Sequence, residues 1–187
     1  MFKNIKSLLM GLVVLSFMVG CGGGEPSAPE KSTASTVSAD AKTVYISSKA
    51  KYDGPIAQNI RSECAIDSQV MTWIQKYAAK HNINVVINGK PKASDTVLKI
   101  SIIDAISAGN AGMGHNKYVT ISGKLYKGKK LQSSFKAARR SGGGYFGAYR
   151  SSCSVLGSCA KTLGRDTAGW LVNPINKSKL GDTYLIR

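Results

Sequence analysis

Apolar residues are distributed along this chain in three ways, and each distribution predicts a different kind of structure. From Ser7 to Val19 they follow one another almost without a break and with no charge among them. From Gly22 to about Lys42 large apolar residues nearly vanish, leaving Gly, Ser, Thr, Ala and Pro. Such a stretch buries too little surface to offset the entropy of ordering it, so residues 21–42 are expected to form a flexible tether. From Thr43 to Arg187 apolar positions recur at short periods, and this stretch has the length of a single domain.

Within that domain the period changes from place to place. Val44 to Ser47 predicts a short strand, followed by a loop through Asp53-Gly54-Pro55. Ile66, Val70, Ile74, Tyr77, Ala78 and His81 recur at helical spacing with Trp73 alongside, which predicts a helix from about Ala65 that stops at Asn82. Asn84 to Asn88 reads as a short strand, and Asn88-Gly89-Lys90-Pro91 turns the chain. From Asp95 strict alternation sets in, with Thr96, Leu98, Ile100 and Ile102 on one face and Lys99 and Ser101 on the other. A Gly-rich connection, Ala105 to Asn116, leads to a second run with Val119, Ile121 and Leu125 on one side and Tyr118, Thr120, Ser122, Lys124 and Tyr126 on the other. After the turn Lys127-Gly128-Lys129-Lys130, a returning strand puts Leu131, Ser133, Phe135 and Ala137 on one face and Gln132, Ser134, Lys136, Ala138 and Arg140 on the other. Beyond a Ser141 to Tyr149 loop, Leu156, Ala160, Leu163, Thr167 and Trp170 mark a helix from about Val155 to Val172, ended by Pro174.

The order β-α-β-β-β-β-α predicts an α+β fold, a two-layer sandwich of a mainly antiparallel sheet with two helices on one face. An antiparallel sheet can leave its second face wet. In this register that face carries Lys99, Lys124, Lys136 and Arg140, and a one-residue slip would invert the assignment.

The first apolar run has its own meaning. Lys3 and Lys6 precede it, giving the charged and apolar regions of a secretion signal, residues 1–20. About 13 apolar residues fall short of the roughly 20 needed to span a bilayer. The run closes on Met18-Val19-Gly20-Cys21, which resembles the lipobox of bacterial lipoproteins. That resemblance implies that Cys21 is acylated through its sulfur and becomes the mature N-terminus, with the small Gly20 giving a peptidase access to the bond. Two or three acyl chains hold a protein stably on a membrane where one holds it only marginally. Gly22 after the cysteine, where an aspartate would favour the inner membrane, implies an outer-membrane lipoprotein facing the periplasm.

Charge narrows the partners. Of 26 Lys and Arg, Lys3 and Lys6 leave with the signal, and 26 less 2 against 10 acids gives a mature chain of +14. Such a balance suits an anionic envelope partner such as lipid headgroups, lipopolysaccharide phosphates, a cell-wall polymer or an acidic protein. No nucleic acid is expected as a partner. The order of elements over Thr43 to Asn173 resembles the anticodon-binding-like α/β modules of envelope proteins, such as the amino-terminal domain of TolB and the lipoprotein LptE. Cys153-Ser-Val-Leu-Gly-Ser-Cys159 with Leu163-Gly164-Arg165-Asp166 and Trp170-Leu171 is similar to a group of small envelope lipoproteins. The resemblance implies an accessory role in envelope assembly or transport, and no reaction.

Candidate chemistry is sparse. In an oxidising compartment two of Cys64, Cys153 and Cys159 are expected to pair. Cys153 with Cys159 is the expected disulfide, on the condition that Cys153 lies before the last helix. The alternative joins Cys64 to one of them and ties the helices together. His81 and His115 are the only histidines, and no CxxC or HxxxH spacing offers a metal site, so neither metal nor cofactor is expected. Gly109-Asn-Ala-Gly112-Met-Gly114 and Gly142-Gly143-Gly144 lack the Lys-Ser/Thr ending of a phosphate loop. No nucleophile has an evident base, and no enzyme is expected. Tyr145, Phe146, Tyr149 and Arg150 beside the glycines form an aromatic and basic patch suited to a partner. Two readings stay open: a non-enzymatic module with an envelope protein partner, and a direct binder of anionic glycolipid or wall polymer through Lys99, Lys124, Lys136, Arg140, Tyr145 and Arg150.

Overall fold

In the computed structural model the described residues are 38, 40–110, 114–142 and 150–186, with the side chains of 110, 114 and 115 left aside. All of them belong to one unit, Ser35–Arg187. The expected secretion signal, Cys21, the part of the expected tether before Ser38 and the side chains of His115, Tyr145, Phe146 and Tyr149 lie outside the described residues.

Period-2 alternation makes strand β1 (Lys42–Ile46), whose Val44 and Ile46 are buried while their neighbours are not. A two-residue strand β2 (Lys51–Tyr52), helix α1 (Gln58–Glu63) and helix α2 (Ile66–Ala79) follow. The helical stripe is realised, since Ile66, Val70, Ile74 and Ala78 are all buried on α2. His81 falls just past the end of the helix, and Asn82 takes a left-handed φ of 54° that an asparagine tolerates and a helix does not. Then come strands β3 (Ile83–Ile87), β4 (Thr96–Asn110), β5 (Gly114–Lys127) and β6 (Lys130–Ser141), helix α3 (Ser152–Val172), strand β7 (Ser178–Gly181) and a 3-10 turn at Thr183–Leu185.

The strands form one sheet in the order β3-β1-β4-β5-β6-β7, with β2 also beside β4. The long pairings β4–β5 and β5–β6 are antiparallel, and the short strands join in parallel. Helix α2 packs against α3 and β3, and α3 against β5 and β6, so the two long helices share the face that buries Leu98, Ile100, Ile102, Val119, Ile121, Leu125, Phe135 and Ala137. The fold is the expected α+β sandwich.

Two bulges adjust it. Pairing passes from Ile102↔Ile121 to Asp104↔Thr120, so Ile103 is an extra residue in β4 and Ala105 returns to the buried side. Pairing likewise passes from Leu125↔Ser133 to Tyr126↔Leu131, leaving Gln132 extra in β6. Opposed residues share a face, so Leu131 accompanies Tyr126 outward and is 46% exposed instead of lying on the apolar face. The expected Gly-rich connection between the hairpin strands is also mostly strand. Ile106, Ser107 and Ala108 pair with Tyr118, Lys117 and Asn116, because ladder hydrogen bonds need only backbone and hold small residues as well as large ones.

The helix layer is joined by close approach and by sulfur. Gly164 of α3 lies so near Trp73 of α2 that a Cβ there would collide with the Trp73 side chain and backbone. Gly123 similarly faces the Phe135 ring, which packs on Trp170 with centroids 4.7 Å apart. The disulfide joins Cys64, at the end of α1, to Cys153, in the first turn of α3. This corrects the expected pairing of Cys153 with Cys159. Both lie inside α3, and six residues at about 1.5 Å of rise separate them by roughly 9 Å, beyond the range a disulfide spans. Ser151 caps the helix instead, its hydroxyl accepting from the Ser154 N–H at 3.2 Å. Cys159 remains a buried thiol.

Two outcomes are expected from this packing. A non-reducing tryptic digest will join the Cys64 and Cys153 peptides, and Cys64→Ser will cost about 2–5 kcal/mol in urea unfolding, since the bridge closes a loop of 89 residues. Gly164→Ala will cost about 1–3 kcal/mol by overpacking. Gly169→Ala, on the same helix with no atom near a new Cβ, will instead gain up to about 1 kcal/mol.

Candidate functional site

The outward face of the meander follows from the register. Lys99 on β4 stands opposite Lys124 on β5, which stands opposite Ser134 on β6. The neighbouring row runs Ser101, Ser122, Lys136 and, on β7, Lys179. Lys124, Lys136, Lys177 and Lys179 line one groove of about 450 Å³ together with Ser122, Ser134 and Ser178. Lys99, Lys124, Lys177 and Lys179 make no ion pair among the described residues; the ion pairs there join Asp67 to Lys49, Asp53 to Lys51, and Asp166 and Asp182 to Arg139. Lys99 lays its ammonium over the Tyr126 ring, 5.0 Å from the centroid, which holds the side chain flat on the sheet. Ser134 donates to Asn176 Oδ1 at 3.0 Å and so ties the segment before β7 to the groove wall.

Not every expected residue joins this group. Arg140 does point outward, opposite Tyr118, but between it and Lys136 the face is covered. Ala138 is fully buried there, Asp182 N–H donates to its carbonyl at 2.8 Å, and Tyr184 and Leu185 of the 3-10 turn close over Tyr118 and Thr120 to form a second cavity of about 500 Å³. The wet face is thus split in two. Arg150 lies in the other layer, where its guanidinium donates to the Ser154 hydroxyl at 2.9 Å and the Ser158 hydroxyl at 3.2 Å along the first turns of α3. Tyr145 lies outside the described residues. The structure therefore brings together Lys99, Lys124 and Lys136, leaves Arg140 beside the second cavity, and puts Arg150 on the helix side.

Lys177 and Lys179 also belong to the groove, on and beside a strand after Pro174 that the hydrophobic pattern does not predict. The signal that marks them is the short alternation Ser178-Lys179-Leu180-Gly181, too brief to stand out without its partner β6.

Other chemistry is limited. Cys64 is consumed by the disulfide, and burial pushes the Cys159 thiol up to about 12, with Asp182 adding a smaller effect in the same direction. A thiol so poorly ionised is no nucleophile. Arg139 donates to both oxygens of Asp166, at 2.6 and 3.0 Å, which raises its own pKa and joins β6 to α3. Among the described residues no group of three His, Cys, Asp or Glu is placed to hold a metal, and no helix is long and apolar enough to cross a membrane.

No family model and no curated protein matches this chain. Among solved structures it is similar to a Xanthomonas campestris protein of family DUF330, at 14% identity and a TM-score of 0.49 over 71% of this chain and 84% of that one. A PelC dodecamer from Paraburkholderia phytofirmans gives 13% identity and 0.42 over 67% and 87%. A minor lipoprotein from Acinetobacter baumannii gives 9% identity and 0.39 over 70% and 92%.

Cys159 supplies a pH test. Above pH about 9 the unfolded chain releases this proton while the fold retains it to about 12, so stability falls as pH rises through that window. Cys159→Ala removes this contribution and leaves that of the raised Tyr52 hydroxyl. The stability difference between wild type and Cys159→Ala, measured by urea unfolding from pH 8 to 10.5, will therefore shift against wild type as pH rises, and native Cys159 will resist alkylation at pH 8.

Proposed function

We propose that this protein is a non-enzymatic, membrane-anchored module of the bacterial envelope that binds an anionic glycolipid or wall polymer through its outward sheet face. The observation that carries the reading is the groove where Lys124, Lys136, Lys177 and Lys179 meet the hydroxyls of Ser122 and Ser134. Like charges set side by side on a sheet repel one another, and a polyanion laid across them relieves that repulsion while its oxygens accept from the ammonium groups and from the Ser122 hydroxyl, the Ser134 proton being held by Asn176. A groove crossing β5, β6 and β7 suits an extended ligand with repeated charges more than a single small ion.

The anchor is part of the same reading. Acylation of Cys21 would hold the domain at the outer membrane on its periplasmic side, and a tether of about 20 residues would let it sweep some tens of Å from the lipid surface. Phosphate-bearing glycolipid and wall polymer both lie within that reach. An acidic protein partner, the other reading left open by the sequence, would meet the same lysines.

The test is titration of the acylated protein in neutral detergent micelles with inorganic polyphosphate and with a bisphosphorylated glycolipid. Affinity is expected to fall steeply as salt rises from about 50 to 300 mM, since the screening length shortens across that range. Replacing Lys124, Lys136 and Lys179 together by Ser is expected to weaken binding at low salt at least tenfold and to flatten the salt dependence, without lowering the melting temperature. Undiminished binding by the triple variant would sink the proposal.

A further inference from the structure

The second cavity on the outward face has a chemistry opposite to the groove beside it. Its floor is the stretch of β4 and β5 beyond the first bulge, where Asp104 stands opposite Thr120 and Ile106 opposite Tyr118. Its cover is the 3-10 turn, through Tyr184 and Leu185, with Pro55 at one side. The volume, about 500 Å³, lies in the range of small-molecule sites.

Three features of this cavity lack an explanation within the fold. The Asp104 carboxylate has no Lys, Arg or His paired with it among the described residues, although the chain carries 26 Lys and Arg against 10 acids. Arg139 is on the helix side of the sheet, held by Asp166 and Asp182, and Arg140 lies one strand beyond Tyr118. The Thr120 hydroxyl is buried, at 3% exposure for the residue, and has no hydrogen-bond partner. Tyr184 is 71% exposed at the rim, where an aromatic ring gains nothing from the core.

We propose that this cavity binds a small primary amine carried on an apolar stem. Tyr118 donates its hydroxyl to Asp104 Oδ2 at 2.9 Å, which orients the carboxylate and leaves Oδ1 for a ligand. Asp104 and Thr120 are directly opposed across an antiparallel pair, so their side chains start about 5 Å apart, and one ammonium can donate to Oδ1 and to the Thr120 hydroxyl together. An alcohol satisfies the hydrogen bonds but leaves the charge unanswered. The stem lies against Ile106 and Leu185, with the exposed Tyr184 ring at the rim.

The test uses the acylated full chain in micelles and cyclohexylamine as the probe, with cyclohexanol and cyclohexanecarboxylate as controls of similar size. The amine is expected to shift the backbone amide resonances of Tyr118 and Thr120 saturably, with neither control doing so. Asp104→Asn is expected to weaken the amine at least tenfold, and Lys136→Ser to leave it unchanged, which separates this site from the basic groove. Should Asp104→Asn fail to fold by circular dichroism, Thr120→Val keeps the volume without the hydroxyl and is expected to weaken the amine at least threefold. Absence of saturable shifts at Tyr118 and Thr120, equal response to the alcohol, or full amine affinity in the folded variant would overturn the proposal.

Discussion

The Phe135 ring fills the space that Gly123 leaves open across the strand pair, and the rest of the molecule depends on that contact. Any side chain at position 123 would collide with the ring. The contact therefore holds β5 and β6 in the register that sends Ile121, Leu125 and Ala137 inward and Lys124 and Lys136 outward. Because the side-chain period of a strand is two, a slip of one residue would drive lysines into the helix layer and apolar side chains into water. The ring then meets Trp170 of α3, whose indole N–H donates to the Ile175 carbonyl at 3.0 Å. One aromatic residue thus couples sheet register, helix position and the path of the chain into β7.

The bulges act on what that register sets up. Ile103 resets β4 so that Asp104 and Ile106 face outward beyond it, and Gln132 resets β6 so that Leu131 does. The outward face consequently differs along its length: lysine and serine between the bulges, then an acid with tyrosine and isoleucine past the first. A bulge costs a ladder hydrogen bond and increases the local twist, and it is a common means of re-aiming side chains at a site.

Much of this was legible in the sequence because burial imposes periods. The α2 stripe, the alternation of β4 and β5 and the run of α3 each follow from one buried face, and the basic outer row of Lys99, Lys124 and Lys136 follows from the same alternation. Illegible were the features set by contact at a distance. Leu131 reads as core until its bulge is known. Strand β7 is only Ser178–Gly181 and exists because β6 offers it an edge. Cys64 and Cys153 are far apart in sequence, and only the packing of α2 against α3 puts them side by side. Whether Cys153 stood inside the helix decided the pairing, and helix ends are the least legible part of a pattern.

Lysines on the outer rows weaken the fold that presents them. Lys99 opposes Lys124, and Lys136 opposes Lys179, where a sheet ordinarily gains from opposite charges or from aromatic and β-branched pairs. Each such pair is mildly unfavourable at low salt. Stability is supplied instead from the other face, by Gly164 against Trp73, by the Arg139–Asp166 pair and by the Cys64–Cys153 bridge, all on the side of the helices. A sheet stabilised from one side can carry unfavourable charge on the other. Like-charged rows on a sheet depart from a local rule that the rest of the fold obeys, and it is for this reason that the proposed anionic partner is placed on the groove and not on the helix layer with Arg150.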